Sequence, residues 1–221
     1  MENHKIRTIY GRRQSRPLRD SQKDLCEKLF EDIKIDLQHL PSAYPSEVIF
    51  EIGFGSGENL AHQALNYPSA MCLGCEPFIN GVASLLAKIA INNITNVRIF
   101  NDDAKKLLTA LPNQLISKTF ILFPDPWPKK RHQRRRIVSL ENLLLVHQKM
   151  QTNGELIIAT DHPGYLAWII EITQQPIFDK HFQILHTPNL PRPSEAEIPV
   201  TRYEKKALEN RPGAFFKFKV I

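Results

Sequence analysis

Between Phe123 and Arg136 the chain reads FPDPWPKKRHQRRR, with an acid between two prolines, a tryptophan, and six Lys/Arg among the eight positions from Lys129 to Arg136. The apolar run Thr119 to Phe123 just upstream reads as a buried strand, so Asp125 falls at a strand mouth. A carboxylate there, beside a flat aromatic ring and a concentrated positive field, suits a nucleobase carried on a polyanionic backbone. Plainer readings exist for each part. Asp125 could be a turn residue between prolines, and the basic run a solvated helix start. Cations at a helix N-terminus oppose the dipole, however, so an external anion accounts for them better. Trp127 suits base stacking and core packing equally.

Three other strand ends carry acids. The first ends in Glu51-Ile-Gly53-Phe-Gly55-Ser-Gly57-Glu58. Glycines here allow a sharp turn and close approach of a ligand to the next helix. The spacing is not the G-x-G-x-x-G of dinucleotide folds. Glu51, two residues before Gly53, would repel a pyrophosphate and instead suits an amino or sulfonium cation. The combination resembles the first motif of class I S-adenosylmethionine-dependent methyltransferases. At the second strand end, Glu76 can accept two ribose hydroxyls, or face the dipole of the following helix. At the third, Asp102 or Asp103 can accept from an adenine amino group or cap the next helix. Spacing does not choose between those two aspartates.

Positioning these residues takes alternating short strands and helices. Apolar runs at Val48–Gly53, Met71–Cys75, Val97–Phe100, Thr119–Phe123 and Glu155–Thr160 read as strands. Helical patterns lie at about 58–66, 78–90, 104–110, 137–150 and 164–174. Two later strands, His181–His186 and Phe215–Val220, bring the total to seven. The turn Asn210 to Gly213 returns the last one antiparallel to the 181–186 strand, after a proline-rich loop and a helical stretch at Thr201–Asn210. The expected fold is α/β: a doubly wound, mostly parallel seven-stranded sheet with an antiparallel terminal strand, its ligand crevice at the strands' carboxyl ends. Leu25, Leu29 and Ile33 recur at helical spacing before the first strand.

The chain's 221 residues carry a net charge of +6, which favours an anionic partner. Its N-terminal cluster of Arg12, Arg13, Arg16 and Arg19 is assigned to a basic arm at 1–24, with one domain from 25 to 221. No apolar run reaches membrane-spanning length and no signal-peptide core is present, so a soluble, cytoplasmic protein without a membrane partner is expected. Cys72 and Cys75 form a C-x-x-C within a strand-like run and lack a second pair, so no metal is assigned.

The sequence FPDPWPKKRH, with GRRQSRPLR, FEIGFGSGE, GCEP, NDDA, ATD and TRYE in order, resembles the tRNA (guanine-N7-)-methyltransferase family over almost the whole chain. The resemblance implies that Glu51, Gly53, Gly55, Glu76, Asp103 and Asp125 hold S-adenosylmethionine, and that Asp125 is catalytic. It also implies that Lys129, Asp161, Thr201, Arg202, Tyr203 and Glu204 hold tRNA. The chain is expected to be a monomer or a homodimer, between which the residues do not choose. The product would be 7-methylguanosine at position 46 of the tRNA variable loop. His162-Pro163-Gly164 departs from the polar residues expected after Asp161. Guanine N7 carries a lone pair and no proton, so Asp125 would orient the base and stabilise developing charge rather than abstract a proton. Two other classes compete. Asp125-Pro126-Trp127 partly matches the (Asp/Asn)-Pro-Pro-aromatic tetrapeptide of amino-methylating enzymes, and an RNA-binding module could keep the fold without the activity.

Overall fold

A computed structural model describes residues 13–207 and 212–221. Among the described residues seven strands form one sheet: β1 (Val48–Ile52), β2 (Met71–Cys75), β3 (Val97–Phe100), β4 (Ile116–Leu122), β5 (Met150–Thr160), β6 (Phe182–His186) and β7 (Ala214–Val220). Their order is β3-β2-β1-β4-β5-β7-β6. The first five pair in parallel, and β7 inserts antiparallel between β5 and β6. The expected antiparallel pairing of the last strand with the 181–186 strand is thus present, and β7 pairs with β5 as well. Strand order reverses between β1 and β4, which opens a crevice at their carboxyl ends.

The helices are α1 (Asp20–Glu27), α2 (Leu29–Ile33), α3 (Glu58–Asn66), α4 (Ile79–Asn92), α5 (Ala104–Ala110), α6 (Leu140–Lys149), α7 (Pro163–Thr173), α8 (Pro176–Asp179) and α9 (Arg202–Ala207). Their starts follow local chemistry. Asp103 caps α5, Ser139 caps α6, and Pro163 takes the first position of α7. Residues 208–211, which include the end of the expected 201–210 helix and part of its turn, lie outside the described residues, as does Arg12.

Two apolar clusters fill the two faces of the sheet. Val48, Phe50 and Ile52 point to one, Ile49 to the other, by the two-residue period of a strand. Cys75 and Cys72 divide between the same two clusters, and burial pushes both thiols up in pKa. Several boundaries differ from the sequence pattern. β4 starts at Ile116 because Lys118, half-buried, pairs with Glu155 at 3.4 Å across the neighbouring strand. The basic run is a 3-10 helix over Lys130–Arg135, and α6 begins only at Leu140. The short α8 carries Phe178, fully buried, beneath β6 and β7.

Residues 20–24, grouped with the arm by composition, form the start of α1, which packs on α4. The stretch before α1 is held by Asn80. Its Oδ1 accepts from the Ser15 N–H at 3.1 Å and its Nδ2 donates to the Arg16 carbonyl at 2.9 Å. Among the described residues no helix is long and apolar enough to cross a membrane.

Candidate active site

The carboxyl ends of β1 to β4 surround a crevice of about 1200 Å³. Glu51 sits on β1 in an otherwise apolar strand and is only 3% exposed. Its Oε2 has no hydrogen-bond partner among the described residues. Burial pushes its carboxyl up to about 8, against a pull from the Asn59 amide and with the charges of Glu58 and Glu76 adding to the rise. A buried carboxyl so placed is stabilised as an anion by a cationic group entering the crevice.

The loop after β1 turns on Gly53, Gly55 and Gly57, all at positive φ, where side chains other than glycine are strained. The Gly55 N–H donates to Glu76 Oε2 at 2.8 Å, and Phe78 N–H donates to Oε1 at 3.0 Å. Glu76 therefore shapes the loop and still keeps acceptor capacity on each oxygen. Burial raises its pKa despite those two bonds. Sequence reasoning missed Gly81. A Cβ there would stand 2.3 Å from the Gly55 carbonyl oxygen. The available signal was a glycine inside a helical pattern, where it weakens the helix and so points to a packing reason.

At the third strand end the two aspartates separate. Asp102 is consumed by Arg13 Nη2 at 3.0 Å, Lys106 Nζ at 2.7 Å and the Asp103 N–H at 2.8 Å. Burial works against its ionisation, but these partners hold its pKa below the usual carboxylate value. Asp103 is 4% exposed and caps α5 through the Lys105 N–H at 2.9 Å. Burial pushes its carboxyl up. Of the two readings for an aspartate here, the helix cap holds for Asp103, which also lines the crevice.

The loop after β4 passes through positive φ at Phe123 and Trp127. Asp125 is exposed and forms part of the crevice wall. Arg136 departs from its expected role as a phosphate contact. It is 4% exposed, its Nε donates to the Pro126 carbonyl at 2.9 Å, and its guanidinium lies over Tyr165 and Trp168 at 5.1 and 5.0 Å. The arginine braces the Asp125 loop from within. Its neighbour Arg135 stacks on the Trp127 ring at 4.9 Å. Lys129, Lys130, Arg131 and Arg134 remain exposed beside the crevice.

The Thr201 to Glu204 segment divides. Thr201 Oγ1 accepts from the Glu204 N–H at 3.2 Å at the start of α9, and Glu204, 2% exposed, is ion-paired with Arg192, whose Nη2 lies 2.9 Å from Oε2. Tyr203 instead lies on the glycine loop, its ring 3.2 Å from where a Gly55 Cβ would be. Burial, with the charges of Glu76 and Asp125, raises its phenol pKa. Arg202 and Lys129 are exposed, and Asp161 is half-buried at the end of β5; none of the three lines the crevice.

A doubly wound sheet with a glycine loop after β1 and a crevice at the carboxyl ends of its strands is the fold of the class I methyltransferases. A family model described as "Putative methyltransferase" matches residues 45–216. The chain is 42% identical to a tRNA (guanine-N(7)-)-methyltransferase from Zymomonas mobilis, covering 92% of this chain and 90% of that one. It is 38% identical to one from Agrobacterium fabrum, covering 95% and 94%. The chain belongs to the tRNA (guanine-N7-)-methyltransferase family. An rRNA methylase from Streptococcus thermophilus shares the fold at a TM-score of 0.55 and 13% identity, over 94% of this chain and 98% of that one.

Proposed function

We propose that the chain moves a methyl group from S-adenosylmethionine to N7 of guanine at position 46 of tRNA. The single observation that carries this reading is the buried, unpartnered Glu51 oxygen beneath the glycine loop, in the same crevice that Asp125 borders. An α-ammonium group satisfies that oxygen, and Gly53 and Gly55 give the backbone approach such a ligand needs. Glu76 and Asp103 would hold ribose and adenine, with Asp125 closing the set. The donor supplies an electrophilic methyl carbon on a sulfonium.

Guanine N7 offers a lone pair and no proton, so the chain's task is alignment and charge stabilisation. Asp125 accepts from the N–H edge of guanine and opposes the positive charge that grows on the purine. Lys129, Asp161 and the Thr201–Glu204 segment hold tRNA: Arg202 and Tyr203 by contact, Thr201 and Glu204 by fixing α9. The exposed basic residues beside them track the phosphate backbone. The protein would act in the cytoplasm, where its substrate resides. The test is incubation of the full chain with unmodified tRNA and methyl-labelled S-adenosylmethionine, followed by nucleotide mapping. Label at N7 of guanine 46 is expected. Label on an exocyclic amino group, or none, would sink the reading.

A further inference from the structure

We infer that Asn142 is a specificity-determining contact in the crevice, its side-chain carbonyl accepting a hydrogen bond from the exocyclic amino group of the cofactor's adenine. The inference rests on the cofactor reading above. Asn142 stands in the first turn of α6, and its N–H donates to the capping Ser139 Oγ at 3.3 Å. Its Nδ2 donates to the Ile137 carbonyl at 2.8 Å, which fixes the orientation of the amide. Its Oδ1 is then left buried without a partner among the described residues, on a residue only 7% exposed that belongs to the crevice wall. A buried acceptor left unpaired destabilises the site that holds it. A donor from the ligand removes that cost.

The surroundings say which donor. Lys105 Nζ bonds Glu141 Oε1 at 3.1 Å and holds the start of α5 against the start of α6, so Asp103 and Asn142 share one end of the crevice. Ala104, Ile137 and Leu145 give that end apolar walls. Two buried acceptors, a carboxylate and an amide carbonyl, between apolar walls fit a flat ring bearing an amino group with two N–H donors. A ring with a carbonyl at that place would set oxygen against both. Glu51, the other buried unpaired acceptor of this wall among the described residues, sits on β1 and is assigned above to the ammonium end.

The test compares binding of S-adenosylhomocysteine and S-inosylhomocysteine to the full chain by titration calorimetry. The wild-type protein should prefer the adenine compound by about 100-fold or more, as sites built to pair a polar group reject analogues that cannot. Asn142→Leu should weaken the adenine compound by about 3- to 10-fold and leave the hypoxanthine compound unchanged or tighter, so the ratio shrinks. Asn142→Asp keeps an acceptor but sets an oxygen in place of the Nδ2 donor against the Ile137 carbonyl, so the side chain is no longer held and the ratio should fall. Equal weakening of both compounds by Asn142→Leu would mark a packing role and overturn the assignment. Should the leucine variant fail to fold, Asn142→Ala replaces it: a smaller ratio supports the assignment, and equal weakening of both compounds overturns it. Failure of the wild-type chain to bind S-adenosylhomocysteine at all would overturn the cofactor reading itself.

Discussion

Gly81, in the first turn of α4, lies against the carbonyl of Gly55, so that a Cβ on residue 81 would stand 2.3 Å from that oxygen. The glycine loop is thereby positioned from two sides: Glu76 holds the Gly55 N–H and Gly81 admits its carbonyl.

Gly81→Ala must displace backbone, since no flexible side chain is available to yield. Overpacking of this kind costs about 1–3 kcal/mol. Affinity for S-adenosylhomocysteine should fall by about 10- to 100-fold, read by calorimetry, while tRNA binding in a gel-shift assay changes little. Unchanged cofactor affinity would show that the loop tolerates the shift.

Asp125→Ala should lower kcat by about 100-fold or more, the usual scale for removing one group aimed at developing charge. The dissociation constant for tRNA should change by less than about 3-fold, because Asp125 contributes one exposed carboxylate. An unaltered kcat would reduce Asp125 to a turn residue.

Arginines of the basic run should behave in two ways. Replacing exposed Arg131 and Arg134 by Gln should lower the salt dependence of tRNA binding by roughly 0.7 to 0.9 of a slope unit for each phosphate that is no longer neutralised. Arg136→Gln should leave that slope intact, yet lower kcat and the melting temperature, because Arg136 is buried against Pro126, Tyr165 and Trp168. Equal salt effects from both replacements would contradict the internal role of Arg136.

Glu51 carries a pH signature. Its folded-state pKa is about 8, raised from 4.5 by burial. The native state therefore holds a proton that the unfolded chain has released between those values, and stability of the ligand-free protein falls as pH rises through that window. The slope from one such group is at most about 1.4 kcal/mol per pH unit. Glu76 and Asp103, also raised, act in the same direction. Thermal melts from pH 5 to 8 should show this decline, and Glu51→Gln should flatten it. A wild-type slope of zero would place Glu51 outside the titrating set.

The alternation of five apolar runs with helical patterns was legible because strand burial on both faces demands continuous hydrophobic stretches. Glu51 and Gly53 stood out for the same reason, as exceptions inside or at the end of such a stretch. The start of β4 was not legible, because Lys118 looks like a boundary until Glu155 on β5 is beside it. Asn142 gave no signal at all: an asparagine in an amphipathic helix is ordinary until its neighbours leave one of its atoms unpaired.

Local order along the chain determined the sheet, the place of its crevice, and the acids at four strand ends. It also carried the family, through motifs contiguous in sequence. The tertiary structure decided how equivalent residues divide. Asp102 is bound by Arg13 and Lys106 while Asp103 caps α5, and Arg136 turns inward while Arg134 stays exposed. Residues adjacent in sequence share composition, but their electrostatic environments are set by partners from distant segments, and only folding brings those within a hydrogen bond's length.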